Sequence, residues 1–225
     1  MVGLHDDQRL TLGRMQNPVR GVLHGSAAVA SLVGTVVLWR HGAPAHQFAL
    51  LVFTVGMVGL YVVSCLYHSV PWPAVWKARM QRADHSMIYV LIAATYTPVA
   101  WVVLDGWLRA AVLCMAWGIA LGGILQKVFL PHVGEAFAIA MTTTQGWLAL
   151  PLFIPLAHRL PWPALLLMGL GGALYTVGMV FLVTERPRLW PRVFSYHEAF
   201  HVCVVAGSAT HYAMMFAYVA RFGAA

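Results

Sequence analysis

Two histidines one helical turn apart in SYHEAFHVCVVAG, with a third in YVVSCLYHSVPW, give this chain the residue types of a metal centre. His197 and His201 are i and i+4, so on a helix both imidazoles lie on one face and can bridge a single ion. His68 is the natural third ligand. Three imidazoles with one open position form the donor set of a catalytic-type zinc site. Ser64 is one turn from His68 on the same face, where it can hydrogen-bond the attacking water or polarise a substrate carbonyl. Asp84, in QRADHSMIYVLIAATYTP, is the candidate general base for that water. Plainer roles compete with these: a bond back into its own helix for Ser64, and a helix N-cap for Asp84. His85 is next to Asp84, but adjacent residues point about 100° apart on a helix. Only one of the two faces the site, and the carboxylate is the better candidate.

The pattern H-E-x-x-H also suggests a soluble metalloprotease with the glutamate as base, and the rest of the chain does not support that. His211, ten residues beyond His201, is near mid-span and is no third ligand in that manner. Glu198 falls in the first turn of its helix, where the dipole favours a carboxylate. His24 reads as an interfacial histidine or as a support for the ligands. His211 is open to a helix-packing hydrogen bond or to a functional role.

Membrane helices must position these groups. The chain has 225 residues, 60% hydrophobic and 9% charged, with mean hydropathy +0.74. Soluble domains carry about 25% charged residues, so this is an all-α integral membrane protein. A span needs about 20 mostly apolar residues. Seven segments qualify, at 20–39, 48–69, 84–104, 109–126, 136–157, 164–184 and 197–220, separated by Pro, Gly and Asp. Gly118, Gly122 and Gly123 make the fourth the weakest. Tyr96, Thr97 and Pro98 are expected to kink the third. Residues 1–19 form an N-terminal segment and 20–225 the membrane domain. The first 18 residues contain Asp6, Asp7, Arg9 and Arg14 and no apolar core of a signal peptide, so span one is expected to act as its own insertion signal. The three cysteines, Cys65, Cys114 and Cys203, fall inside apolar segments and read as small hydrophobes, not as disulfide partners.

The net charge of +7 resembles a nucleic-acid signature until its location is considered. The basic residues flank the spans, which favours topology and anionic head groups and argues against nucleic acid. Arg9, Arg14, Arg20, Lys77, Arg79, Arg82, Lys127, Arg186, Arg188 and Arg192 fall on one side; Arg40, Arg109, Arg159 and Arg221 fall on the other. The positive-inside rule then predicts a cytoplasmic N-terminus and an external C-terminus in the cell membrane. Ser64, His68, Asp84, His197 and His201 thereby reach one depth, near the cytoplasmic face. Ionisable groups at such positions are costly and are functional candidates by default.

The blocks RGVLHG (20–25), YVVSCLYHS (61–69), DHSMIYVLIAATYTP (84–98), GGALYTVGMVF (171–181) and HEAFHVCVVAGSATHY (197–212) cover nearly the whole chain in order. With them the sequence resembles the haemolysin III family, the bacterial branch of the progestin and adipoQ receptor (PAQR) proteins, within the CREST group of membrane hydrolases. The resemblance implies seven spans, a cytoplasmic N-terminus and zinc held by His68, His197 and His201. It also implies that Asp84 reaches the metal through water, with Ser64 nearby. Many members carry an acidic residue and an asparagine shortly before the span-one histidine. Here that stretch reads QNPVRGVLH, with Arg20 in place of such a group, so no role for those residues carries over.

Three functions are compatible with this pattern. The leading one is a Zn2+-dependent hydrolase of membrane lipid amides or esters, with Arg20, Arg82 and Arg192 holding an anionic head group. The second is a cytolysin or pore, although the regular polytopic pattern contains no releasable amphipathic segment. The third is a receptor or regulator of membrane state with structural zinc. The partner is a membrane lipid in the first reading; the oligomeric state is not legible. Orientation has a direct test. Cysteine at Ala224 should be labelled by an impermeant reagent in intact cells, and cysteine at Asp7 only after permeabilisation.

Overall fold

The computed structural model describes residues 15–130, 133–190 and 193–224. Residues 1–14, with most of the N-terminal segment, and Arg192 lie outside the described residues. The described residues form eight α-helices: α1 Pro18–His41, α2 Gln47–Ser69, α3 Ala74–Pro98, α4 Gly106–Phe129, α5 Glu135–Trp147, α6 Phe153–Ala157, α7 Trp162–Thr184 and α8 Tyr196–Met214. Among the described residues, seven segments are long and apolar enough to cross a membrane, with α5 and α6 sharing one. The expected seven-helix bundle is therefore the fold.

Neighbours in sequence pack as neighbours in space: α1 on α2, α2 on α3, α3 on α4, and α7 on α8. α8 also packs against α1, which brings the last span beside the first. Without a hydrophobic force between helices in lipid, small residues and polar contacts supply the association. α7 and α8 meet closely at Gly207, where an added Cβ would come 3.2 Å from the Gly171 carbonyl and 3.1 Å from the Tyr175 ring. Gln145, fully buried, donates to the carbonyls of Tyr89 at 3.2 Å and Ala116 at 3.0 Å. The Tyr89 hydroxyl donates to the Ala138 carbonyl at 3.1 Å, and the Tyr96 hydroxyl to that of Gln145 at 2.9 Å. These bonds fasten α5 to α3 and α4 where the apolar surface alone gives no register.

Two spans differ from the hydropathy reading. α3 begins at Ala74, ten residues before the expected start. The intervening WKARMQR is too basic to count as a span but consists mostly of good helix formers. Its Arg79 guanidinium lies 4.9 Å from the centre of the Trp76 ring. The fifth span, read as continuous over 136–157, breaks after Trp147 into a 3-10 turn at Leu150–Leu152 before α6. Pro151 and Pro155 have no N–H for the carbonyls one turn back. In α3 the irregularity expected at Tyr96-Thr97-Pro98 takes the form of a π turn over Val99–Val103.

At the end of the bundle reached by the C-terminus of α3, Asp105 pairs with Arg109 at 3.1 Å and with Arg159, which also donates to the Val103 carbonyl at 2.7 Å. This clasp joins the α3–α4 connection to the α6–α7 connection. Arg159 beside Asp105 holds its carboxyl below the usual carboxylate range. The contribution of the clasp is therefore complete above about pH 4, the unfolded value, and is lost as pH falls through the lower folded value.

Packing at α4 has a sharp test. A Cβ at Gly123 would come within 2.6 Å of the buried Tyr89 ring, whereas one at Gly118 meets nothing within 4 Å. Gly123→Ala should cost about 1–3 kcal/mol by overpacking, and Gly118→Ala should be neutral or stabilising by about 0.5–1 kcal/mol. Thermal unfolding in detergent measures both.

Candidate metal centre

His197 and His201 lie in the first two turns of α8, and His68 in the last turn of α2. One potential ligand nitrogen from each lies within 4.8 Å of the other two. The ring centroids are 5.0 Å apart for His197–His201, 4.9 Å for His68–His201 and 5.5 Å for His68–His197. His68 and His201 are buried and His197 is half-buried. The Nδ1 atom of His201 is buried without a hydrogen bond to the protein. Three convergent imidazoles, one with an unsatisfied buried nitrogen, fit a metal ion such as the one the spacing suggests.

Ser64 and Asp84 are both buried, and the Ser64 hydroxyl approaches the Asp84 carboxylate. Ser64 is one turn of α2 from His68. Because α3 starts at Ala74 with Pro73 as its N-cap, Asp84 does not begin the helix and caps nothing. Burial far inside a helix leaves the carboxylate without a backbone role. The structure thus brings His68, His197 and His201 together, with Ser64 one turn from His68 and Asp84 close to Ser64. His85, beside Asp84, is half-buried.

Two residues take roles that the sequence did not disclose. Glu198 is the N3 residue of a capping box: its Oε2 accepts from the Ser195 amide at 2.8 Å. Its Oε1 accepts from Arg20 Nε at 2.6 Å, in an ion pair buried on both sides. The dipole explanation was thus incomplete. The carboxylate holds the start of α8 and also ties it to α1. Arg20 is only 6% exposed, and its guanidinium is turned to Glu198. Arg82 is exposed.

The second is His24, read as an interfacial histidine or as a support for the ligands. It is 3% exposed and stacks on His201, with centroids 4.0 Å apart and planes 12° apart. The Tyr61 ring meets it edge-on at 5.2 Å. The signal available in the sequence was its place one turn after Arg20; what hid it was the α1–α8 contact, which no local pattern encodes. Deeper in the bundle, His211 Nε2 lies 3.3 Å from the Met168 carbonyl, and the Tyr175 and Ser208 hydroxyls are 2.8 Å apart. His211 is therefore a helix-packing contact and lies outside the ligand group.

Fold and site define a multi-pass helical membrane protein with a histidine cluster at one end of the bundle. The sequence profile of the family described as "Haemolysin-III related" matches residues 13–212, and the chain belongs to that family. It is 32% identical to "Hemolysin-3" of Bacillus cereus over 94% of this chain and 95% of that protein. It is 33% identical to "Hemolysin-3 homolog" of Bacillus subtilis over 84% and 87% of the two chains. The human "Monocyte to macrophage differentiation factor" is 25% identical over 88% of this chain and 82% of its own length, which extends the relationship to the PAQR proteins.

Leaving one charge of a buried pair without its partner is costly. Arg20→Ala or Glu198→Ala should each lower stability by about 3–5 kcal/mol. The double change Arg20→Met with Glu198→Met should recover most of that loss. Denaturation monitored by tryptophan fluorescence in detergent distinguishes the three.

Proposed function

We propose that this protein is a zinc-dependent hydrolase of membrane lipid amides or esters, working near the cytoplasmic face of the cell membrane. The observation that supports it most is the convergence of His68, His197 and His201, with Ser64 buried one turn from His68 and Asp84 buried close to Ser64. The three imidazoles would hold the metal, and a zinc ion bound there would supply Lewis-acid polarisation of a carbonyl and lower the pKa of water towards about 7.

The remaining chemistry belongs to side chains of the chain. Asp84 accepts the proton of the attacking water and returns it to the leaving amine or alkoxide. Ser64 holds the Asp84 carboxylate in place and can turn its hydroxyl towards the substrate carbonyl. Glu198 does neither: both its oxygens are engaged, by Ser195 and by Arg20. Helices surrounding the site bury the reaction while a lipid enters laterally from the bilayer. Arg82, exposed at the histidine end of α3, is placed for an anionic head group.

The name of the Bacillus cereus relative favours a second reading, in which the chain lyses membranes. The two readings separate on Asp84. A hydrolase needs its proton acceptor; a pore needs only the fold.

Purified protein should hold about one zinc per chain, and alanine at His68, His197 or His201 should remove it. Asp84→Asn should keep the metal and lose at least about 100-fold in turnover of lipid amides or esters. Glu198→Gln should lower stability yet keep turnover in the folded fraction. Metal analysis with lipid mass spectrometry reads all of these. Full metal occupancy in the His201→Ala protein would end the zinc reading. Wild-type turnover in Asp84→Asn, with haemolysis preserved, would favour the lytic one.

A further inference from the structure

His24 is the anomaly of the site. It is 3% exposed, and neither ring nitrogen makes a hydrogen bond to the protein, although the His201 backbone comes near the ring. Tyr61, 1% exposed and edge-on to His24, is in the same condition. Its hydroxyl approaches Ser208, whose oxygen is already engaged with Tyr175 at 2.8 Å, and makes no hydrogen bond of its own. Buried polar atoms are nearly always hydrogen-bonded, and each exception carries a desolvation cost. Here three such atoms belong to two rings in contact, one of them stacked on His201.

Two roles for His24 can be weighed on geometry. As a fourth ligand it fails. An imidazole nitrogen binds metal along a lone pair in the ring plane, about 2.0–2.1 Å out. The His24 and His201 planes are stacked and nearly parallel, so their lone pairs do not converge on one ion. As a mere buttress for the His201 ring it is a poor choice, because phenylalanine would stack equally well and bury no polar atoms. The nitrogens are available to something that arrives with the ligand. Both sides of the pair are hydrogen-bonding groups: an imidazole that can donate and accept, and a phenol that does either. They match an uncharged polar group and disfavour an ionised one.

We propose that His24 and Tyr61 form a hydrogen-bonding subsite of the centre, contacting an uncharged polar group of the lipid bound against His68, His197 and His201. This rests on the metal reading above for what binds beside it, but not for its own test. His24 touches the ligand and leaves the metal to its neighbours.

The test compares two twelve-carbon probes on the full-length protein in detergent. Dodecanohydroxamate offers a metal-binding group with further donors and acceptors; dodecanethiol offers sulfur alone. In His24→Phe, which keeps the stack and removes the nitrogens, metal content should match wild type. Hydroxamate affinity should fall about tenfold, the size of one lost hydrogen bond, and thiol affinity should stay unchanged. Tyr61→Phe should weaken the hydroxamate alone in the same way, and His24→Gln should restore part of the loss. Loss of metal in His24→Phe, or equal weakening of both probes, makes His24 a support for His201 and overturns the proposal. So does a hydroxamate affinity unchanged in both His24→Phe and Tyr61→Phe, or no hydroxamate binding by wild type. Should wild type hold no metal, the zinc reading falls alone, and the subsite is judged by the same hydroxamate comparison between wild type and His24→Phe.

Discussion

Hydrocarbon offers no partner to a polar group, so each one that a membrane helix carries must find its partner inside the bundle. The arrangement of this protein follows from where those partners are. Gln145, Tyr89 and Tyr96 bond to backbone carbonyls across α3, α4 and α5 and set their register. Arg20 and Glu198 do the same for α1 and α8, at the layer where the histidines lie. Because α1 and α8 are the two ends of the chain, this buried pair also brings the first span against the last. The ring contact of His24 with His201 follows from it.

The fate of Glu198 shows how a motif changes meaning with its surroundings. In a soluble helix H-E-x-x-H supplies two ligands and a base. Here the same five residues open a helix at the edge of a membrane, and the carboxylate is used up by the capping amide and by Arg20. The buried acidic group close to Ser64 of α2 is Asp84, on a different helix. The proposed ligands and base therefore come from three helices, and they meet only when α2, α3 and α8 are packed.

Membership of the haemolysin III family says what this chain is related to and leaves its chemistry to the site, since one fold hosts unlike functions. The relatives carry a lytic name and a differentiation-factor name. What this chain has in its own right is a group of three imidazoles, a buried carboxylate and a buried hydroxyl, with two further unsatisfied polar side chains behind them.

Much was legible before any coordinates, because hydropathy and helical spacing are local. Seven apolar stretches imply seven helices. The i, i+4 spacings of His197 with His201 and of Ser64 with His68 place each pair on one face whatever surrounds them. Element ends were less legible. The start of α3 was hidden by basic residues that hydropathy rejects but a helix accepts, and the break after Trp147 depends on prolines that a hydropathy window averages away. Partners across helices were not legible at all. Nothing near Arg20 announces Glu198, 178 residues away, and nothing near His24 announces the ring of His201. Spacing along one helix is dictated by covalent geometry, but which helix faces which is decided by the packing of all of them together, and the tertiary structure alone settled that.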